Sequence, residues 1–123
     1  MGANVAPLIN PFIINKAIEI ANSNPDGFTV APDMLSRPTS GYCVAHRHTQ
    51  NSFGLVGFLG ALAFAINNDL HFGGWYNRKN GLYYFDAVRI FPIGQLEAAT
   101  NFAKEQEQIA LFDLANGMEI STL

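Results

Sequence analysis

Residues Phe53 to Ile66, FGLVGFLGALAFAI, run for fourteen positions without a charge or a polar side chain. At about 100° per residue, a helix here is apolar on every side. Leu55, Leu59, Leu62 and Ile66 form a bulky stripe, and Gly54, Gly57, Ala61 and Ala65 a stripe of small residues nearly opposite. A helix that is apolar all round is buried all round. The leucine stripe is therefore expected to face a sheet. The small stripe is expected to meet the N-terminal helix of the same chain or a second subunit, which makes Gly54, Gly57, Ala61 and Ala65 candidate interface residues.

The rest of the chain is patterned more conventionally. Asn10-Pro11 starts a helix, with Asn as cap and Pro at the first helical position. Ile13, Ile14, Ala17, Ile18 and Ala21 follow at helical spacing, and Asn24-Pro25-Asp26-Gly27 ends it in a turn. Phe28 and Val30 alternate in a short strand stopped by Pro32, and residues 33 to 40 form a loop. Tyr42 to Arg47 alternates as a strand, with Cys43 and Ala45 on one face and Tyr42, Val44 and His46 on the other. Ser52 is the expected cap of the apolar helix, which ends at Asn67-Asn68-Asp69. Phe72 to Tyr76 is a strand interrupted by Gly73-Gly74. Asn80-Gly81 marks a tight hairpin, and Leu82 to Phe91 is the longest strand. Gln95 to Glu107 is an amphipathic helix, Ile109 to Leu114 a strand, and Met118 to Ile120 a last short strand.

Residues 41–114 thus read strand-helix-strand-strand-helix-strand. This order predicts an α+β domain of the ferredoxin-like βαββαβ type, with two helices on one face of a four-stranded antiparallel sheet. Residues 1–40 form an N-terminal extension of helix, strand and loop, and residues 115–123 a C-terminal turn and strand. The long strand is apolar on both faces, so both are expected to be covered. The N-terminal extension either widens the sheet or covers its open face.

With 123 residues, the chain is read as one domain. Charged residues make up only 14 % against 49 % hydrophobic, well below the usual quarter or so. So few charges leave apolar surface to be buried in a partner. The net charge of −3 and scattered Lys and Arg argue against nucleic-acid binding. The single cysteine, Cys43, allows no intrachain disulfide. MGANVAPLINPF has neither the basic region nor the long apolar core of a signal peptide, and Ala6 stands where a myristoylated Gly2 would need Ser or Thr. The apolar run is shorter than the twenty or so residues that span a bilayer. These features predict a cytoplasmic protein without a membrane partner.

Candidate chemistry is sparse. His46 and His48 stand two apart on a strand and could share a metal, with His71 as a third ligand, but no zinc-type spacing appears. Cys43 beside a histidine suggests a nucleophile–base pair, yet alternation puts the two on opposite faces. Asp86 and Arg89 interrupt the apolar long strand. Being three apart they cannot pair with each other, and either could mark a pocket. Asp113 is a candidate partner for one of them. Trp75, Tyr76, Tyr83 and Tyr84 gather around the hairpin, where aromatics pack cores or interfaces or stack on a planar ligand.

The segments GYCVAHRHTQNSFG, FGGWYN…GLYYFDAVRIF and KEQEQIALFDL resemble small uncharacterised proteins of bacterial mobile elements and phages, over roughly residues 27 to 114. The resemblance implies an accessory protein that targets a host or element protein, and carries no activity. The favoured reading is a non-enzymatic, homo-oligomeric module that binds itself and another protein and needs no cofactor. The alternative is a small-molecule or nucleotide binder. There Trp75 or Tyr84 stacks on a ring, Asp86 lines the pocket, and Arg47 or Arg89 holds an anionic group. A third reading is a metal protein or enzyme built on His46, His48 and Cys43.

Overall fold

Asn10 caps the first helix by accepting the Phe12 N–H on its side-chain oxygen at 2.8 Å, and Pro11 takes the first helical position. The computed structural model describes residues 10–123. Residues 1–9, which hold the myristoylation positions Gly2 and Ala6 and most of the stretch read for a signal peptide, lie outside the described residues. Three helices appear among the described residues: α1 (Pro11–Ser23), α2 (Gly54–Asn67) and α3 (Leu96–Glu105). Seven strands join them: β1 (Phe28–Val30), β2 (Tyr42–Ala45), β3 (Ser52–Phe53), β4 (His71–Asn77), β5 (Leu82–Phe91), β6 (Ala110–Asp113) and β7 (Met118–Ser121).

The domain is α+β, and all seven strands join one antiparallel sheet. Its order is β1-β4-β5-β2-β6-β7, with β3 also paired to β5. This differs from the expected four-stranded ferredoxin-like sheet. β1 adds an edge beside β4 because Phe28 and Val30 bury one face there, and β7 adds the opposite edge as a hairpin with β6.

The second departure lies between β2 and β3. The strand expected to run to Arg47 leaves the ladder at His46 and makes a 3-10 turn over Arg47–Thr49. The His46 N–H still donates to the Ala87 carbonyl at 2.9 Å. The Ala87 N–H donates instead to the buried Thr49 hydroxyl at 3.0 Å, which in turn donates to the His46 carbonyl. A side chain thus replaces a ladder partner, and no backbone group is stranded. The chain then rejoins β5 as β3, so Phe53 rather than Ser52 precedes α2, and no side chain caps that helix.

The helices cover one face of the sheet. α1 and α2 share a core in which Ala17, Ile20, Ala61, Leu62 and Ala65 pack with Phe58, Phe72 and Phe85. α3 packs Ala99 and Ala103 on Val44, Phe91 and Leu111. α1 therefore joins the helix layer and does not cover the open face, while β1 widens the sheet.

The leucine stripe of α2 is placed differently from expectation, whereas Ala61 and Ala65 of the small stripe join the core cluster that includes Ala17 and Ile20 of the N-terminal helix, the first of the two expected partners. Ala61 and Ala65 are fully buried inside the chain, together with Leu62 and Phe58, while Leu55, Val56 and Leu59 are 69, 86 and 37 % exposed. Phe58 decides the rotation, because its ring meets Phe72 and Phe85 edge-on at centroid separations of 5.8 and 5.2 Å. A Cβ on Gly57 would stand 2.6 Å from the Ser52 carbonyl carbon, so this residue seats α2 on β3. Of the expected interface stripe, only Gly54 opens to free space.

Candidate functional site

The face of the sheet opposite the helices is concave. Thr29 on β1 and Cys43 on β2 are separated by β4 and β5, three strand spacings of about 4.8 Å in a flat sheet. Yet Thr29 and Cys43 line the same cavity on this face. The sheet therefore curves around that space. The result is a trough of about 560 Å³ whose lining runs from Asp26 and Thr29 at one edge to Phe112 and Glu119 at the other. That volume is in the range of small-ligand sites.

Asp86 lies on its floor. It is paired across the β4–β5 ladder with Gly73, which has no side chain to fill the space beside it. Burial pushes the carboxyl up from 3.8 to about 6, and desolvation is the only cause acting on it. Among the described residues no ion pair reaches it. Fully sealed polar side-chain atoms are all partnered among those residues, so the unpartnered Asp86 carboxylate opens into the trough. Cys43 shares this face, and burial pushes its thiol up to about 12, the nearby Thr29 hydroxyl opposing that rise only in part. Such a thiol is neutral at physiological pH and is a poor nucleophile.

Trp75 projects from the same face, two residues along β4 from Gly73. It stacks on its cross-strand partner Tyr84 at a centroid separation of 5.6 Å and an interplanar angle of 20°. Phe53 on β3 closes on Tyr84 from the other side, edge-on at 5.7 Å. The Tyr84 hydroxyl accepts from the Asn80 amide at 2.8 Å, which holds the ring in place. Trp75 is still 45 % exposed, so part of its indole is free beside the trough.

The candidate residues are thereby divided. Trp75, Tyr84 and Asp86 come together on the concave face. Arg89 does not join them, because odd spacing from Asp86 sends it to the helix side. Its guanidinium lies 4.6 Å above Phe91 and 5.0 Å above Phe102. Arg47 sits on the 3-10 turn, with its side chain on Glu107 at 3.3 Å and its N–H on the Gln106 side chain. Neither can hold an anion in this trough. Asp113 pairs with neither Asp86 nor Arg89, but accepts from the backbone and side-chain amides of Asn116 and closes the β6–β7 turn.

The histidines are also divided. His48 stacks on Phe64 of α2 at 4.2 Å, and His46 packs against the same ring at 5.0 Å. Burial and the neighbouring His48 and Arg47 hold His46 below its ordinary value. His71 is paired with Val88 and so shares the face of Cys43 and Asp86, away from His46. Among the described residues no group of three His, Cys, Asp or Glu is placed to hold a metal ion.

Thr29, Gly73 and Glu119 were not singled out from the sequence. The only signal for them was Gly73-Gly74 within a strand, where glycine often marks a close approach of a ligand or backbone. No helix among the described residues is long and apolar enough to cross a membrane. Set against protein-family models, curated proteins and solved structures, the chain matches none.

Proposed function

We propose that this chain is a non-enzymatic binding module whose ligand site is the concave face of its sheet. A small planar ligand lies against Trp75 and reaches Asp86 on the floor. The observation that carries this reading is the Asp86 carboxylate, which is mostly buried and unpartnered but open to a cavity. A protein bears the cost of such a group where something else completes it. The thiol of Cys43 is held in its neutral form, which favours binding over covalent chemistry. In this reading the inner strands β4-β5-β2-β6 and helices α2 and α3 form a ferredoxin-like core, to which β1, β3 and β7 are added. The protein works in the cytoplasm.

Amide NMR spectra of the full chain, recorded with neutral, cationic and anionic planar fragments, test the site. Saturable shifts at Thr29, Cys43, Gly73 and Trp75 are expected with at least one fragment class. Shifts confined to other surfaces, or none with any class, would remove the reading.

A second reading, self-association, rests on a different observation. The outer side of α2 presents Leu55, Val56 and Leu59 on a helix without a single charge, so two copies could meet there with no like charges opposed. Light scattering of the wild type and of Val56→Glu tests it. A dimer abolished by the substitution supports it, and a wild-type monomer at high concentration sinks it.

A further inference from the structure

We propose that the trough takes a planar nitrogen cation, a guanidinium or amidinium group, carried by a small molecule or by an arginine side chain. This rests on the concave face being a ligand site, and adds the class of ligand.

Charge points to the class first. Among the described residues three carboxylates line the trough, those of Asp26, Asp86 and Glu119, and no Lys, Arg or His does. Asp26 is matched by Arg78 at 2.8 Å at the rim, and among the described residues Asp86 and Glu119 have no partner cation. An anionic ligand would meet like charge in a low-dielectric setting, whereas a cation would complete the site. Two arginines of the central sheet and its turn are engaged away from the trough: Arg89 lies over rings on the helix side and Arg47 on Glu107.

Shape points to a planar cation. The Asp86 carboxylate offers two acceptor oxygens, and a guanidinium or amidinium presents two parallel N–H donors that match them. Gly73, directly opposite, leaves bare backbone where a flat group can rest. Trp75 is the diagonal neighbour of Asp86 on the same face, about 7–8 Å away in such a pairing and within reach of a long or aromatic side chain. Its indole is backed by Tyr84, a fixed surface for a delocalised cation to stack on. A spherical ammonium would use the charge but neither the fork nor the stack.

Trp75 is the only tryptophan, so its fluorescence reports on the site directly. The full chain is titrated at pH 7.5 and low salt with benzamidine, benzamide and benzoate, which share one shape and differ in charge. A second arm uses acetyl-Gly-Arg-Gly-amide and its citrulline counterpart. Benzamidine is expected to bind saturably and at least tenfold more tightly than benzamide, with no response to benzoate. Asp86→Asn, checked by thermal melting to be folded, is expected to lose at least tenfold of the benzamidine affinity. Tighter binding of the arginine peptide than of benzamidine identifies a polypeptide source, and the reverse order a small molecule; both support the class. Equal affinity for benzamidine and benzamide, or preference for benzoate, would overturn the cation class and leave the ligand site standing. No response to any compound, together with no fragment shifts at the trough, would remove both.

Discussion

Asp86 faces Gly73 across the β4–β5 ladder, so the one carboxylate on the floor of the trough has bare backbone as its directly opposed neighbour. The pair creates both the space and the need for a ligand. A side chain at residue 73 would occupy that space. A Cβ there would already lie 3.1 Å from the Phe28 carbonyl and 3.7 Å from the Thr29 hydroxyl. Gly73→Val is therefore expected to weaken binding of any fragment at Trp75 by tenfold or more, and overpacking of this kind costs about 1–3 kcal/mol of stability. Fluorescence titration and urea unfolding of the same variant separate the two effects. Undiminished binding by Gly73→Val would place the ligand away from Asp86.

The raised carboxyl of Asp86 makes stability depend on pH with a definite sign. The folded state binds the proton more tightly than the unfolded chain, about 6 against 3.8. Stability therefore falls as pH rises through that window, and the full penalty stands above pH 6. Two units correspond to about 3 kcal/mol. Asn at this position cannot ionise, so Asp86→Asn is expected to be more stable than the wild type by about 1–3 kcal/mol at pH 8. The difference should shrink towards zero at pH 4. Urea denaturation of both proteins at the two pH values measures it, and the difference between them cancels every other titrating group. A stability gain that does not change with pH would mean that burial does not raise this carboxyl, and a loss at pH 8 would mean that the carboxylate is partnered. The same substitution is expected to weaken cation binding at least tenfold, the trade of function against stability common at binding sites.

Cys43 lines the trough, yet its thiol is pushed up to about 12 by burial. The thiolate is the reactive form, so alkylation of the native protein should be very slow. Iodoacetamide at pH 8, followed by intact mass, is expected to leave the folded chain unmodified over an hour and to label it fully in 8 M urea. Rapid labelling of the folded chain would reopen a nucleophilic role for this residue.

Local patterns announced most of the elements. Asn10-Pro11, the Asn80-Gly81 turn, the period-2 run of β5 and the amphipathic α3 each carry a signal within a few residues, and each forms close to where it was expected. What could not be read depends on contacts between distant segments. The uniformly apolar α2 offers no polar side to orient it, so side-chain bulk alone assigned the leucine stripe to the sheet. The ring of Phe58, in neither stripe, settled the rotation against Phe72 and Phe85. The Thr49 detour that splits β2 from β3 needs a hydroxyl aimed at Ala87, thirty-eight positions away in the chain. Odd spacing showed that Asp86 and Arg89 point to opposite faces. That Asp86 lies in a cavity follows from sheet curvature, which alternation along a strand does not encode.

Of the three glycines of α2, those at positions 57 and 60 offer a sharp test of how this helix is seated. Alanine is favoured over glycine by about 1 kcal/mol in a helix interior. At Gly60 a Cβ would meet nothing within 4 Å, so Gly60→Ala is expected to stabilise the protein by up to that amount. At Gly57 a Cβ would stand 2.6 Å from the carbonyl carbon of Ser52 and 3.0 Å from its Cα. These are backbone atoms of β3, held by pairing of Ser52 with Phe85 and of Phe53 with Tyr84, so they cannot yield as a side chain would. Gly57→Ala must push α2 from β3 and disturb the Phe53–Tyr84 contact, and is expected to destabilise by about 1–3 kcal/mol despite the propensity gain. Thermal unfolding of both variants gives the result. Opposite signs for one substitution made three residues apart would place Gly57 inside the chain and Gly60 on its outer face. Equal gains at both positions would show that α2 does not rest on β3, and the aromatic wall beside the trough would lose its support.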